Sequence, residues 1–149
     1  MIKRIAAVLG SLVMAFTAAA AVASPAAADV SAAAFETNYA VDADWSDSPA
    51  TDCAWDDRGY WYIDGDACIQ PDGDDIWVAD QNSNGYGVAV WWSEPVSGRE
   101  GMCVDALGTA KGWVKCNKDW ADGRTLYWSF MYDSPEGWKF EAETFKTVI

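Results

Sequence analysis

Residues 125–132 read TLYWSFMY, with large apolar side chains at Leu126, Trp128, Phe130 and Tyr132 and with Tyr127, Ser129 and Met131 between them. A period of two gathers the first set on one face of an extended strand, whereas a helix would scatter it around its circumference. The chain then reaches Ser134-Pro135-Glu136-Gly137, with proline second and glycine fourth as a type I turn prefers. It returns with Trp138, Phe140 and Ala142 alternating with Lys139, Glu141 and Glu143. The pattern predicts an antiparallel hairpin with one buried face, its charged face lying in water or along a sheet edge.

The same rhythm extends upstream. Short apolar runs at 60–63, 76–79, 88–92, 102–105 and 113–116 are separated by turn residues, among them Asp64-Gly65-Asp66 and Pro71-Asp72-Gly73-Asp74, and none sustains a helical period. The expected fold is all-β, a single antiparallel β-sandwich or barrel-like domain of about seven strands.

The N-terminus has the form of an export signal. Lys3 and Arg4 precede an apolar stretch, and Ala26-Ala27-Ala28 supplies small residues ahead of Asp29. Residues 1–28 are expected to be a signal peptide, 29–51 a loosely ordered, Ala- and Asp-rich lead-in, and 52–149 the β domain. No cysteine follows the apolar stretch closely enough for a lipid anchor, and no later run is long enough to span a bilayer. The expectation is a secreted, extracellular monomer with no membrane association.

Export makes disulfides the default state of the four cysteines. Cys103 and Cys116 flank VDALGTAKGWVK, in which Gly108 and Gly112 bracket a loop, so the two cysteines are expected to face each other across a hairpin. Cys53 and Cys68 then pair by elimination, although four cysteines permit three connectivities.

After loss of Lys3 and Arg4 the chain carries 23 acidic and 8 basic residues. Residues 29–80 hold 14 of the acids and one base, Arg58; residues 81–149 hold 9 acids and 7 bases. Such a surface repels nucleic acid and anionic head groups, which argues against both as partners.

Asp80-x-Asn82-x-Asn84-Gly85 matches the first half of a calcium-binding loop, with alternate oxygens and a glycine for the bend. The second half fails, because Trp91 occupies the place of the closing glutamate and 87–92 reads as strand. Asp80, Asn82 and Asn84 are therefore candidate calcium ligands, but the pattern suits a turn between strands better.

The chain has no histidine, which removes imidazole bases and His-based triads. Carboxylate chemistry survives: two of Asp56, Asp57, Asp64, Asp66, Asp74 and Asp75, near Trp55, Trp61 and Trp77, are the kind of pair that cleaves glycosidic bonds. Aspartates at glycine-containing turns are more often solvated turn formers, so no catalytic residue is assigned. The ten tryptophans point instead to binding of a carbohydrate or a protein. Trp91 and Trp92 must point to opposite faces of one strand, so one is expected inside and the other outside unless both faces are covered; a two-sided core, as in a sandwich's covered strand, is the reading that consecutive apolar residues favour. Trp45, Trp55 and Trp120 lie in loop-like sequence and complete the candidate ligand-binding set. A hydrolase inhibitor presenting the loop at 104–115, or a structural surface protein, are the alternatives.

The stretches IWVADQNSNGYGVAVWW and CVDALGTAKGWVKCNKDWADGRTLYWSF together resemble a group of small secreted actinobacterial proteins. The resemblance rests on the export signal, the turn at 80–85, Cys103 with Cys116, Asn117, Trp120, Asp122-Gly123 and the aromatic strand from Thr125. It covers about half the chain and implies a fold and a compartment but no activity. Asn84, where an acid is usual, and the extension 134–149 depart from it.

Overall fold

The computed structural model describes residues 33–47, 51–53, 65–140 and 143–149. In chain order the strands are β1 (Glu36–Tyr39), β2 (Val41–Asp42), β3 (Asp52–Cys53), β4 (Gly65–Gln70), β5 (Asp75–Asp80), β6 (Val88–Glu94), β7 (Arg99–Asp105), β8 (Trp113–Asn117), β9 (Thr125–Tyr132), β10 (Lys139–Phe140) and β11 (Phe145–Val148), with a 3-10 turn at Trp45–Asp47. Sheet A has the order β1-β7-β6-β9-β10, with β11 also on β9; sheet B has the order β2-β8-β5-β4-β3. The fold is a β-sandwich and not a closed barrel.

The core lies between the sheets. Ile69, Ile76, Val78 and Val114 of sheet B meet Val88, Val90, Trp92, Leu126, Trp128 and Phe130 of sheet A, as the period-two pattern of β9 requires. Asp133 N–H bonds the Gly87 carbonyl beside β9, and the expected turn is present, with Gly137 N–H bonded to Ser134 O at 2.8 Å.

Several sequence expectations change here. Glu36–Tyr39, inside the stretch expected to be a loosely ordered lead-in, is an edge strand parallel to β7. The next residues join the other sheet, where Val41 pairs with Lys115. Gly65, expected in a turn, opens β4 and pairs with Asp80; a side chain there would collide with the Ala79 carbonyl, so only glycine fits. The run at 60–63 lies outside the described residues.

Both disulfides form, Cys53–Cys68 and Cys103–Cys116. The second does not close a hairpin. β7 pairs with β6 and β1 in sheet A, and β8 pairs with β5 and β2 in sheet B, so the bond staples the two sheets with a Cα separation of 5.9 Å. Gly108 and Gly112, both with positive φ, serve a loop that crosses between sheets. Cys53 and Cys68 are direct cross-strand partners on β3 and β4. Two disulfides are consistent with an extracellular protein, and among the described residues no helix is long and apolar enough to cross a membrane.

A candidate binding face and an end cleft

On β6, Trp92 points into the core and is fully buried, while Trp91 points to the outer side of sheet A and is half-buried. Register places the neighbours of Trp91. Met102 and Ser129 flank it across β7 and β9, and one step along the strands Tyr39, Val104, Ala89, Met131 and Phe140 form a single row from β1 to β10. That row spans four strand spacings, about 19 Å.

Its three central members, Ala89, Val104 and Met131, are buried although they lie on the outer side, because Trp91, Met102 and Trp138 pack over them. The row ends on two exposed rings, Tyr39 at 68% and Phe140 at 56% of full exposure. Phe140 meets Trp91 edge-on, with ring centres 5.7 Å apart. The outer side of sheet A therefore presents a layer of indole, phenyl, phenol and thioether groups.

Phe140 corrects the sequence reading of the last hairpin. Its alternation with charged residues suggested the core, but pairing with Met131 puts it on the opposite face from Trp128 and Phe130. Further on, Phe145 pairs with Trp128 and packs against the core, its ring stacked on Trp128 at 4.7 Å.

Beside the layer, at one end of the sandwich, lies an open cleft of about 490 Å³. Two inter-sheet loops form it, the connection from β5 to β6 and the connection from β7 to β8. Asp105, 2% exposed, knits them together: Oδ1 accepts the Leu107 and Gly108 N–H groups at 2.8 and 3.0 Å, and Oδ2 accepts Asp80 N–H at 3.2 Å. At the rim the Ser83 and Thr109 hydroxyls bond each other at 3.0 Å. Gly87 lines the cleft, and a Cβ there would lie 3.7 Å from Trp138 Cη2, so this indole of the layer lies close to the cleft wall.

The candidate calcium ligands lie in this wall. Asp80 Oδ1 accepts the Asn82 N–H at 2.9 Å and Asn84 Oδ1 accepts the Tyr86 N–H at 2.8 Å, while Gly85 takes φ 83°. These are Asx turns, in which a side-chain oxygen satisfies a backbone donor two residues on. Among the described residues no group of three or more acidic, cysteine or histidine side chains gathers as a metal site.

The other candidates disperse. Trp45 stacks on Trp113 at 4.1 Å and meets Trp77 edge-on, over the outer side of sheet B. Trp55 lies outside the described residues, as do Trp61, Asp56, Asp57 and Asp64. Trp120, read as loop-exposed, is 5% exposed: Asp74 Oδ2 accepts its N–H at 3.1 Å, and the ring packs edge-on to Trp92 at 5.3 Å. Trp92 and Trp120 are thus core residues, and of the candidate tryptophans on described strands Trp91 alone faces outward from sheet A.

The candidate carboxylates separate as well. Asp66 lies near one end of the β4–β5 hairpin and Asp74 and Asp75 at the other. Asp75 is paired with Lys115 at 2.7 Å and also accepts Asn117 Nδ2, so it serves the sheet. Burial raises both Asp66 and Asp74 above their ordinary values, partly offset by the hydrogen bonds from Gln81 and from Trp120 N–H respectively.

Trp138, Phe140, Met102, Tyr39 and Tyr86 were missed from sequence. Trp138 and Phe140 carried a signal in their alternation, but it fixed their sharing of a face and not which face. No protein-family model matches the chain, and neither does any curated protein or solved structure.

Proposed function

We propose that the protein is a secreted, non-catalytic binding module that takes carbohydrate on the outer side of sheet A. The observation that carries this reading is the aromatic layer of Trp91, Trp138 and Phe140, lying outside a core that is already complete without it. Sugar rings present flat C–H faces to aromatic rings and hydroxyls to neighbouring polar groups, and the end cleft places both kinds of partner side by side. A formal net charge of −13 disfavours polyanionic ligands. The export signal, the two disulfides and the likeness to secreted actinobacterial proteins support an extracellular place of action.

The test is co-sedimentation with insoluble cellulose, chitin and starch, using wild type, Trp91→Ala and Phe140→Ala. Binding of wild type to at least one, lost in both variants while each keeps the wild-type circular-dichroism spectrum at the assay temperature, is expected. Equal sedimentation of all three proteins removes the outer face as the site.

A hydrolase inhibitor is the second reading, and the β6–β7 turn favours it over the loop at 104–115. Glu94, 3% exposed, accepts the N–H groups of Val96 and Ser97 at 2.8 and 2.9 Å and holds Val96, 70% exposed, on a rigid tip. Inhibition of a protease or amylase that is lost in Val96→Asp is its signature.

A further inference from the structure

We propose that the end cleft is a subsite that receives an uncharged sugar of a glycan whose other units lie on the aromatic layer. The inference rests on the carbohydrate reading above and specifies the ligand: a neutral glycan long enough to reach from the layer into the cleft.

Continuity is the first argument. Trp138 packs against the Ala89, Val104 and Met131 cluster of the layer, and a Cβ at Gly87, which lines the cleft, would lie 3.7 Å from its Cη2. Layer and cleft therefore approach each other beside Gly87, where no side chain stands between them.

Chemistry is the second. The cleft is lined by Asp80, Asn82, Ser83, Tyr86, Asp105 and Thr109 among others, and none of its lining residues is a lysine or arginine. Hydroxyl, amide and carboxylate groups beside one aromatic ring match a polyol, which both donates and accepts hydrogen bonds. Two aspartates and no cation repel a sulfated, phosphorylated or uronic sugar. The volume of about 490 Å³ falls within the range of roughly 300–1,000 Å³ usual for small-ligand sites. The Asp80 N–H bond to Asp105 Oδ2 joins the two loops that line the cleft.

Rigidity is the third. Asp105 ties the two loops at the floor and the Ser83–Thr109 bond ties them at the rim. A cleft fixed in this way orders little on binding, which favours affinity for a short ligand.

The experiment is calorimetric titration with the neutral tetrasaccharides of cellulose, chitin (N-acetylated) and starch, and with tetragalacturonate as the anionic control. It is run on wild type, Trp91→Ala, and the double variant Ser83→Ala/Thr109→Ala, whose hydroxyls are both exposed and whose loss leaves the Asp105 contacts in place. For wild type we expect binding of at least one neutral tetrasaccharide and none of tetragalacturonate. For the double variant we expect about a tenfold weaker tetrasaccharide affinity, from two lost hydrogen-bonding groups, with co-sedimentation on the parent polysaccharide retained. Unchanged tetrasaccharide affinity in the double variant, with affinity lost in Trp91→Ala, overturns the subsite and leaves the aromatic-face reading standing. Unchanged affinity in both variants, or no saccharide bound by wild type, overturns both. Tight binding of tetragalacturonate overturns the assignment of a neutral ligand.

Discussion

The Lys118 ammonium lies 4.3 Å over the ring of Trp92 and bonds Glu36 at 2.8 Å. Its side chain is only 3% exposed. Asn38 Oδ1 accepts a further hydrogen bond from the same ammonium, and Arg99 approaches the same ring at 5.6 Å while bonding Glu36 at 2.9 Å. A buried cation is costly unless it is paired, and here the pairing acid sits on β1. The N-terminal strand is therefore held to the sandwich by charge as well as by its backbone ladder.

Glu36→Gln tests that role through pH. The hydrogen bond from Arg99 holds the Glu36 carboxyl below its usual value of 4.5; burial opposes this, and Lys118 adds to the lowering. A folded-state value below the unfolded one contributes stability that is complete above pH 4.5 and is lost as pH falls through the lowered value. Burial raises Glu94, but the hydrogen bonds from Ser97 and Val96 outweigh it and give that residue the same sign. Asp66 and Asp74, both raised, act oppositely and gain stability on protonation. Glu36→Gln should lose about 1.5–3 kcal/mol at neutral pH, and its further loss on acidification should be smaller than that of wild type. Parallel acid limbs in urea unfolding would refute the assignment.

Gly101→Ala should detach β1 specifically. A Cβ at residue 101 would strike the Glu36 carbonyl and come within 2.8 Å of the Glu36 Cβ, and the obstacle is backbone rather than a side-chain tip. Either β1 shifts outward or β7 does, at a cost of about 1–3 kcal/mol. Amide exchange should quicken at 36–40 while 88–92 keeps its protection. Uniform quickening would mean that the glycine serves the whole sheet.

Much of sheet A was legible because β9 carries a period-two pattern, and β6 and β7 short apolar runs between turn residues, that need no knowledge of partners. The side of the sheet that each pattern faces was not legible, since alternation is symmetric between inside and outside. Phe140 shows this: its neighbours Lys139 and Glu141 mark it as the apolar side, yet the core at that level is already filled from β9. Strand β1 was hidden for another reason. Glu-Thr-Asn-Tyr has no apolar stripe, and its parallel pairing with β7 depends on residues more than 60 positions away, as the Glu36–Arg99 separation of 63 illustrates. Asp64-Gly65-Asp66 reads as a turn from composition, whereas Gly65 pairs with Asp80 in a strand, and the glycine is there because the Ala79 carbonyl leaves no room for a side chain. The cysteine pairing was legible but its geometry was not, since glycines flanking a loop do not reveal whether the chain returns to the same sheet.

Two tryptophans of similar burial should respond differently to the same substitution. Trp128 Nε1 donates to Thr147 Oγ1 at 3.0 Å, whereas the buried Trp120 Nε1 has no hydrogen-bond partner among the described residues. Both changes to phenylalanine lose ring volume, but only Trp128→Phe also loses a buried hydrogen bond and strands the Thr147 hydroxyl. Trp128→Phe should therefore cost about 1–3 kcal/mol more than Trp120→Phe. Equal midpoints in guanidinium unfolding would contradict this.

Calcium offers a direct check on the Asp80 loop. Asp80 and Asn84 each give an oxygen to a backbone N–H that shapes the β5–β6 connection, and among the described residues no group of three or more acidic, cysteine or histidine side chains gathers there. The melting temperature should be the same in EGTA and in millimolar calcium, since a ligand that binds the native state raises it. A calcium-dependent rise abolished in Asp80→Asn would establish a metal site there.

The two disulfides separate loop entropy from position. Their sequence separations are 15 for Cys53–Cys68 and 13 for Cys103–Cys116, so the chain-entropy model assigns each about 3 kcal/mol. Their surroundings differ. Cys103 and Cys116 belong to the inter-sheet core, at 0% and 5% exposure, whereas Cys53 is half-buried on the edge strand β3. Replacing both members of the first pair by alanine removes the staple and also leaves a gap between the sheets, which partial collapse only in part refills. Replacing both members of the second pair frees β3 from the edge of sheet B while β4 keeps its long ladder with β5. Cys103→Ala/Cys116→Ala should therefore be the less stable double variant, by about 1–2 kcal/mol beyond the shared entropic loss. It should also lose amide protection in both sheets, whereas Cys53→Ala/Cys68→Ala should lose it chiefly at 52–53 and 68–70. A greater loss from the Cys53–Cys68 pair would show that the edge bridge, and not the inter-sheet staple, limits unfolding.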